Sequence, residues 1–420
     1  MLKPVNLAEF TLGMDQLSNE TSLPRGACRD ALNVEFDIYG NFRSRSGWTA
    51  AGAMTGAHSL WGALDGTFGL FAQDDKLKRL VVNAGLPMVA TIMSGLSPST
   101  RMSFHEHADQ VFFTNGRDLG VVGRASASLI GIDVPTITGA AALDFGSVPA
   151  GKYKVAISYV LPTGEESGLS DIASVELPTQ GGIDVFTPAV PGFASGASKL
   201  RTYCTPVNGD VLYLAGEYPL RMSGTYDITD LKLSKQADNM NMTRLRGGAI
   251  VRGFNGRVMV ANGDVLQFSQ PFRYGLTKIN TDFVRFNSRI VMVEPVVDGV
   301  YVGVLEGTVY FLAGGGPSEF EQRVVSSTRP IPYASSVVAP GRLPRKIAEK
   351  NDQNAVLWLG AMGYSLGLAG GMVMDIQSDR ISLPAYTAGS TTVLTNAGIK
   401  QILSVVESAE TAGQGSAIDS

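Results

Sequence analysis

The amino-acid sequence predicts an all-β fold: a β-propeller with an immunoglobulin- or fibronectin-III-like β-sandwich inserted between its blades. Three observations carry the prediction. Helical periodicity is scarce along the 420 residues, whereas short alternating or apolar runs recur on either side of turns rich in Gly, Asn or Asp. Five hairpins of this kind begin at Asp65, Ala108, Asn255, Asp298 and Asn354, and three of the intervals between them are 43, 43 and 56 residues, close to the roughly 40 to 50 residues of a four-stranded propeller blade. The remaining interval, 147 residues from Ala108 to Asn255, has room for one blade plus an independent domain. Gly (49) and Pro (20) together exceed average usage, as a chain of many tight turns requires.

Each hairpin is justified by its turn. DGTFGLFAQDDKLKRLVV turns at Ala72–Asp75, ADQVFFTNGRDLGVVG at Asn115-Gly116, NGRVMVANGDVLQFSQ at Asn262-Gly263, DGVYVGVLEGTVYFLAG at Glu306-Gly307 and NAVLWLGAMGYSLGLAG at Met362-Gly363. Gly or Asn at such points supplies the positive φ of a tight turn. In the long interval, GKYKVAISYVLPTGEESGLSDIASVEL places Tyr153, Val155, Ile157 and Tyr159 on one face, turns at Pro162–Gly164 and resumes with Ile172, Val175 and Leu177. Leu200, Tyr203, Val211, Tyr213, Ala215, Tyr226 and Ile228 continue the pattern. Period two over so many runs is the mark of sandwich strands. The expected organisation is therefore an N-terminal segment and first blades at 1–147, the sandwich at 148–232, the remaining blades at 233–405 and a mobile tail at 406–420. KQADNMNMTRLRGG, after the sandwich, is polar and reads as a crossing loop.

Composition narrows the function classes. With 34 basic and 38 acidic residues the net charge is −4, and the pI is near 5.5, which argues against binding nucleic acid by neutralising phosphates. No stretch approaches the roughly 18 apolar residues of a membrane span, and MLKPVNLAEF lacks the apolar core of a signal peptide, so a soluble protein made in the cytoplasm is expected. Cys28 and Cys204 are too few for a disulfide framework and read as ordinary thiols.

A search for catalysis finds little. There is no GxSxG elbow, HExxH pair, P-loop or GxGxxG entering a helix. The histidines are His58, His105 and His107, and Phe104-His-Glu-His107 puts two on one side of a strand with only Asp109 as a third donor; they read as half-exposed strand residues. LAGGGP from Leu312 runs into Pro317 and reads as a turn. Glu165-Glu166 and Asp74-Asp75 fall at hairpin turns and read as solvated acids rather than a glycosidase pair. A protein without catalytic residues, cofactor or metal is expected. Arginine forms two groups, Arg25, Arg29, Arg43 and Arg45, then Arg244, Arg246, Arg252 and Arg257. The planar guanidinium suits interface ion pairs, leaving solvated surface, subunit contact and a surface near nucleic acid as readings.

The N-terminal run supplies a resemblance. Gly13-Met14-Asp15 is followed by Leu23-Pro24, Gly26-Ala27, Arg29-Asp30-Ala31 and Asn33-Val34, then by Gly40, Arg43, Arg45 and Gly47. This pattern resembles the N-terminus of the tail nozzle proteins of short-tailed bacteriophages, also called tail tubular protein B or tail hub proteins. The likeness extends in outline through YKVAISYVLPTGEESGLS, LRTYCTPVNGDVLYLAGE, NGRVMVANGDVLQFSQP and PVVDGVYVGVLEGTVYFLAGGGP. The resemblance implies a structural protein of the virion tail, a homo-hexameric ring below a dodecameric head–tail adaptor that forms the distal channel for DNA ejection. It further implies contacts with the adaptor and with tail fibre or tailspike proteins, genomic DNA in transit without specific binding, and no stable membrane association. A baseplate or receptor-binding tail protein, and after it a propeller glycoside hydrolase, are the alternatives.

Within this frame the N-terminal run is expected to be an assembly segment. Arg25, Arg29, Asp30, Arg43 and Arg45 are the expected interface residues, and Val34–Trp48 is expected beside the strands near Ile381–Val405, completing the last blade.

Overall fold

The computed structural model describes residues 12–31, 34–36, 41–44, 54–83, 85–96, 100–188, 196–222, 224–342, 352–376, 380–396 and 399–408. Among them the chain is all-β, with short 3-10 turns and no α-helix.

Five four-stranded antiparallel sheets follow one another, each with its strands in chain order. The first comprises Ala57–Gly62, Gly69–Gln73, Lys76–Asn83 and Leu86–Met93, and the second Ser103–His107, Gln110–Thr114, Leu119–Val122 and Ala127–Leu129. The third comprises Ile250–Phe254, Arg257–Asn262, Val265–Phe268 and Phe283–Arg285, and the fourth Ile290–Val296, Gly299–Val304, Val309–Ala313 and Glu321–Ser326. Pro330–Val338, Ala355–Gly360, Gly363–Gly367 and Val373–Asp375 make the fifth. All five hairpins expected from the sequence are strands two and three of these sheets. Their registers close where the turn residues require: Gln73 faces Lys76, Asn262 faces Val265, and Gly360 faces Gly363. Asp74, at φ 55°, and Gly263, at φ 62°, hold the left-handed conformations that such short connections demand.

The sheets stack face to face in sequence order, so each apolar strip lies between neighbours. Leu70, Leu77, Phe104 and Phe113 fill the space between the first and second sheets, and Phe112, Leu119, Val251 and Val258 that between the second and third. Phe254, Phe268, Val293 and Val300 join the third to the fourth, and Met292, Tyr301, Phe311 and Trp358 the fourth to the fifth. A hairpin of Ala388–Asn396 with Ile399–Glu407 covers the far face of the fifth sheet, where Val393 and Ile402 pack against Val338 and Leu366. First strands of sheets two to five run side by side, which brings their side chains to a common axis.

Between the second and third sheets the chain leaves the stack. Gly139–Val148, Gly181–Phe186 and Thr225–Ile228 form a three-stranded sheet, and Ala173–Leu177, Gly151–Val160, Lys199–Cys204 and Tyr213–Pro219 form a four-stranded one. Tyr153, Val155, Ile157 and Tyr159 from one sheet meet Val148, Ile183, Val185, Tyr226 and Ile228 from the other in a single core. The alternation of these residues is thus the inward face of the unit. Ile172 and Val211, read as part of that pattern, are exposed.

Three boundaries differ from expectation. The two-sheet unit begins at Gly139, because GAAALDFGSV carries small residues on an exposed edge strand with a bulge between Leu143 and Val148, and so shows no clear alternation. The last strand runs through Glu407, into the stretch read as a tail, and residues 409–420 lie outside those described. Val34–Phe36 pairs with Phe42–Ser44 as a two-stranded sheet of its own. Among the described residues no ladder joins that pair to Ala388–Glu407, and residues 45–53 lie outside them. What ties the N-terminal run to this end of the chain is Gln16 N–H donating to the Arg380 carbonyl at 2.8 Å and the Arg380 guanidinium donating to the Leu12 carbonyl at 2.7 Å.

Candidate functional site

The N-terminal run folds as a small clip. Gly13–Met14 pairs in parallel with Ala27–Cys28, and Gly26, at φ 93°, makes the turn that lets the second strand come back alongside the first. Asp15 is buried at the centre of the clip. Its carboxylate accepts from Ser18 N–H at 2.9 Å, Leu17 N–H at 3.2 Å and Ser18 Oγ at 2.7 Å, and these bonds, those from Ser18 foremost, hold its pKa below the ordinary aspartate value. The Gly-Met-Asp and Pro-x-Gly-Ala elements of the sequence pattern are therefore one another's partners.

The expected assembly residues divide accordingly. Arg25, Arg29 and Asp30 are exposed on the clip. Arg29 donates to the Ser18 carbonyl at 2.8 Å, and Asp30 accepts from Ala31 N–H at 2.8 Å, so both also shape the clip itself. Arg43 lies opposite Glu35 in the two-stranded ladder, and Arg45 lies outside the described residues.

The second arginine group makes contacts within the chain, with Arg246 remaining largely exposed. Arg244 and Arg246 both pair with Asp133, and Arg257 donates to the Ser269 carbonyl. Arg252 enters a network at the axis of the stack. Its Nε and Nη2 donate to the two Glu294 carboxylate oxygens at 2.8 and 2.6 Å, and its Nη1 donates to Ser103 Oγ at 3.2 Å and to the Val251 carbonyl at 2.8 Å. Glu294, only 2 % exposed, also accepts from Ser335 Oγ at 2.8 Å. Ser103, Arg252, Glu294 and Ser335 stand on the first strands of sheets two, three, four and five, so one hydrogen-bonded chain stitches four sheets together. Arg101, just ahead of the second sheet, lies with its guanidinium 4.5 Å from the centre of the Tyr333 ring in the fifth.

His105 and His107 flank this network, their rings 6.5 Å apart. Burial, with the nearby Arg252 and His107, pushes the His105 imidazole down to about 3, and burial lowers His107 as well. Both are partly buried strand residues, as expected; the His107 ring occupies the space beside Gly253 and sits edge-on to Tyr274. No group of three His, Cys, Asp or Glu side chains able to hold a metal occurs among the described residues.

A second network ties the two-sheet unit to the segments that connect it with the stack. Glu166 accepts from Ser158 Oγ and Tyr203 Oη at 2.6 Å each and from Asn239 Nδ2 at 3.3 Å on one oxygen, and from the Arg201 guanidinium at 2.6 Å on the other. Buried Asn239 also donates to the Ser167 carbonyl at 2.7 Å, and Glu165 accepts from Gly131 N–H at 3.1 Å. Burial raises the Glu165 carboxyl above its ordinary value. The pair read as solvated turn acids is thus an anchor, and the polar stretch read as a crossing loop supplies its buried partner. Gly168 is required here, since a Cβ would lie 1.9 Å from the Met242 carbonyl oxygen.

A cavity of about 530 Å³ opens on the four-stranded sheet between Lys152, Lys154, Glu176, Asn208 and Asp210. The aromatic ring in its lining, Tyr153, is buried in the core behind it and offers no stacking face for a sugar. Two carboxylates, Asp184 and Asp227, face each other across adjacent strands of the other sheet, and burial together with the Asp227 charge raises Asp184.

No family model matches the chain, and no curated protein matches it. Among solved structures it is similar to BBS1N, described in complex with ARL6DN, at 10% identity and a TM-score of 0.32 over 84% of this chain and 90% of that one. The WD40 domain of Pan2 from Neurospora crassa matches at 10% identity and a TM-score of 0.32 over 76% and 79% of the two chains. The N-terminal domain of Nup159 matches at 11% identity and a TM-score of 0.29 over 83% and 73%. Likenesses at this level carry no argument about what the chain does.

Proposed function

We propose that this chain is a non-enzymatic structural protein of a short-tailed bacteriophage tail, a nozzle or hub that assembles as a ring below the head–tail adaptor and bounds the channel through which DNA leaves. The observation that carries the reading is the N-terminal clip, in which residues 13–15 and 24–30 of the nozzle-like pattern build a self-capped unit with Arg25, Arg29 and Asp30 exposed. In support, Arg252 and Glu294 at the axis of the stack pair with each other and tie sheets together, as suits a rigid wall. The fold reading that goes with this function is a six-bladed propeller, the hairpin at Ala388–Glu407 supplying the sixth position. Its insert is a fibronectin-III-like sandwich, with C′–C–F–G strand order in the four-stranded sheet.

The test is reconstitution with a cognate adaptor ring. Charge reversal at Arg29 should abolish co-sedimentation with the adaptor or with other copies of the chain, while the β-sheet circular dichroism is retained. Assembly at normal yield by an Arg25→Glu/Arg29→Glu variant removes the clip from the interface. A particle image with the chain at a fibre tip would replace the nozzle position with receptor binding.

A further inference from the structure

Among the described residues, the outer strands of the first and fifth sheets carry exposed apolar surface. At the far end of the first sheet, Lys76–Asn83 and Leu86–Met93 pair with Val81 opposite Met88 and Val82 opposite Pro87. Side chains on both faces of this hairpin end are open to solvent, Val82 at 64 %, Leu86 at 70 % and Met88 at 60 %. Leu86–Met93 is also the last strand of its sheet and carries no charge, so it lacks the charged side chains that usually guard an open edge. On the fifth sheet, Met372, Met374 and Ile376 alternate onto one side of the outermost strand and are all exposed.

We propose that these two edges are the two halves of a head-to-tail contact between copies of this chain, the first sheet of one copy against the fifth sheet of the next. The proposal rests on the ring reading above and specifies its interface. Charge complementarity favours it. Past the Asp74-Asp75 turn, the segment from Lys76 to Met93 contains Lys76, Lys78 and Arg79 and no acidic residue, whereas from Ala355 to Ile376 the single charged residue is Asp375, which is exposed.

Angular placement favours it as well. With the hairpin at Ala388–Glu407 as a sixth position, successive sheets are about 60° apart, and the first and fifth, two steps apart through the sixth, are separated by about 120°. That is the angle at which a subunit meets its two neighbours in a six-membered ring whose axis runs parallel to that of the stack. Arg101 against Tyr333 is compatible with that geometry, since it brings together sheets two and five across the axis, and these lie opposite each other in such a circle. A patch joined to a different patch closes into a ring only when the angle between them fits, and the angle of about 120° that the six-bladed reading gives does fit.

Two single variants and their mixture test the proposal. Met88→Glu and Met374→Glu alter exposed side chains, so the circular dichroism and melting temperature should match the wild type. Each alone should weaken self-association by about 100-fold or more in sedimentation velocity. Mixed in equal amounts, the two variants should form a one-to-one dimer and nothing larger, since each retains the half that the other has lost. A mixture that stays monomeric, or a single variant that assembles like the wild type, overturns this interface while leaving the ring reading intact. A wild-type chain that stays monomeric both alone and on a cognate adaptor overturns both.

Discussion

Replacing Arg252 by methionine should cost more stability than any other single change at the axis. The guanidinium supplies two charge-assisted bonds, at 2.8 and 2.6 Å, to a Glu294 carboxylate that is 2 % exposed, and its removal leaves Ser335 Oγ as the remaining side-chain donor to that carboxylate. Breaking a buried ion pair on one side typically costs about 3–5 kcal/mol, because the surviving charge stays desolvated. Removing both partners has a different effect. Arg252→Met/Glu294→Leu abolishes the charge along with its partner and should fall within about 1 kcal/mol of the wild type. Urea unfolding followed by tryptophan fluorescence isolates the effect, since Trp48, Trp61 and Trp358 all lie outside residues 139–228 and the two-sheet unit is silent in that signal. A loss below about 1 kcal/mol in the single variant, or a double variant as unstable as the single one, would refute the assignment of Arg252–Glu294 as a coupled pair that spans the sheets.

The remaining predictions concern the histidines, the anchor and the facing aspartates. His105 is held neutral in the fold, with its pKa near 3, whereas the unfolded chain protonates near 6.5. The unfolded state thus binds more protons below pH 6.5, and stability should fall by about 1.4 kcal/mol for each pH unit from there toward pH 3; His105→Gln should flatten that slope in acid titrations of the urea midpoint. Gly168→Ala drives a Cβ into the Met242 carbonyl, and Asn239→Ala strips a buried donor from Glu166 and Ser167. Each should destabilise by about 1–3 kcal/mol and open the connections at 130–138 and 229–245 to limited proteolysis, and an unchanged cleavage pattern would count against the anchor. Asp184 has a raised pKa, so the folded state binds the extra proton and loses stability as pH climbs through that value. Asp184→Asn should therefore raise the melting temperature at pH 7 and leave it unchanged near pH 3.

The parts of this fold that were legible in the sequence are those encoded locally. Each central hairpin carries its own turn residue and its own alternation, so Asn262-Gly263 or Glu306-Gly307 can be read without knowing what lies beside it. The inward face of the two-sheet unit was legible for the same reason, since Tyr153 to Tyr159 alternate within one strand. Gly139–Val148 escaped because small residues on an edge strand bury little and carry no period. The axial network escaped because its members come from four sheets, and Ser103 and Arg252 are 149 residues apart. A signal was nonetheless present: a lone Arg in IVRGF and a lone Glu in IVMVEPV are opposite charges inside runs too apolar for a solvated strand. Glu165-Glu166 misled in the opposite direction. A Pro-Thr-Gly turn normally places its acids in water, and it is the return of Arg201, Tyr203 and Asn239, 35 to 73 residues downstream, that encloses Glu166.

The route of the chain through the stack also sets a timetable for its synthesis. The second sheet is complete at Leu129, but the face formed by Phe112 and Leu119 is covered by Leu245, Val251, Val258 and Val260, and Thr114 Oγ1 waits for the Gly248 carbonyl. At roughly 5–20 residues per second a ribosome takes about 7 to 26 s to bridge that interval, during which the first two sheets hold an open apolar face. The two-sheet unit emerges within this delay with both halves of its own core encoded between residues 139 and 228, and it can close before the stack does. The insertion therefore orders the folding of the nascent chain, with its middle finished first and the layers on either side joined across it afterwards.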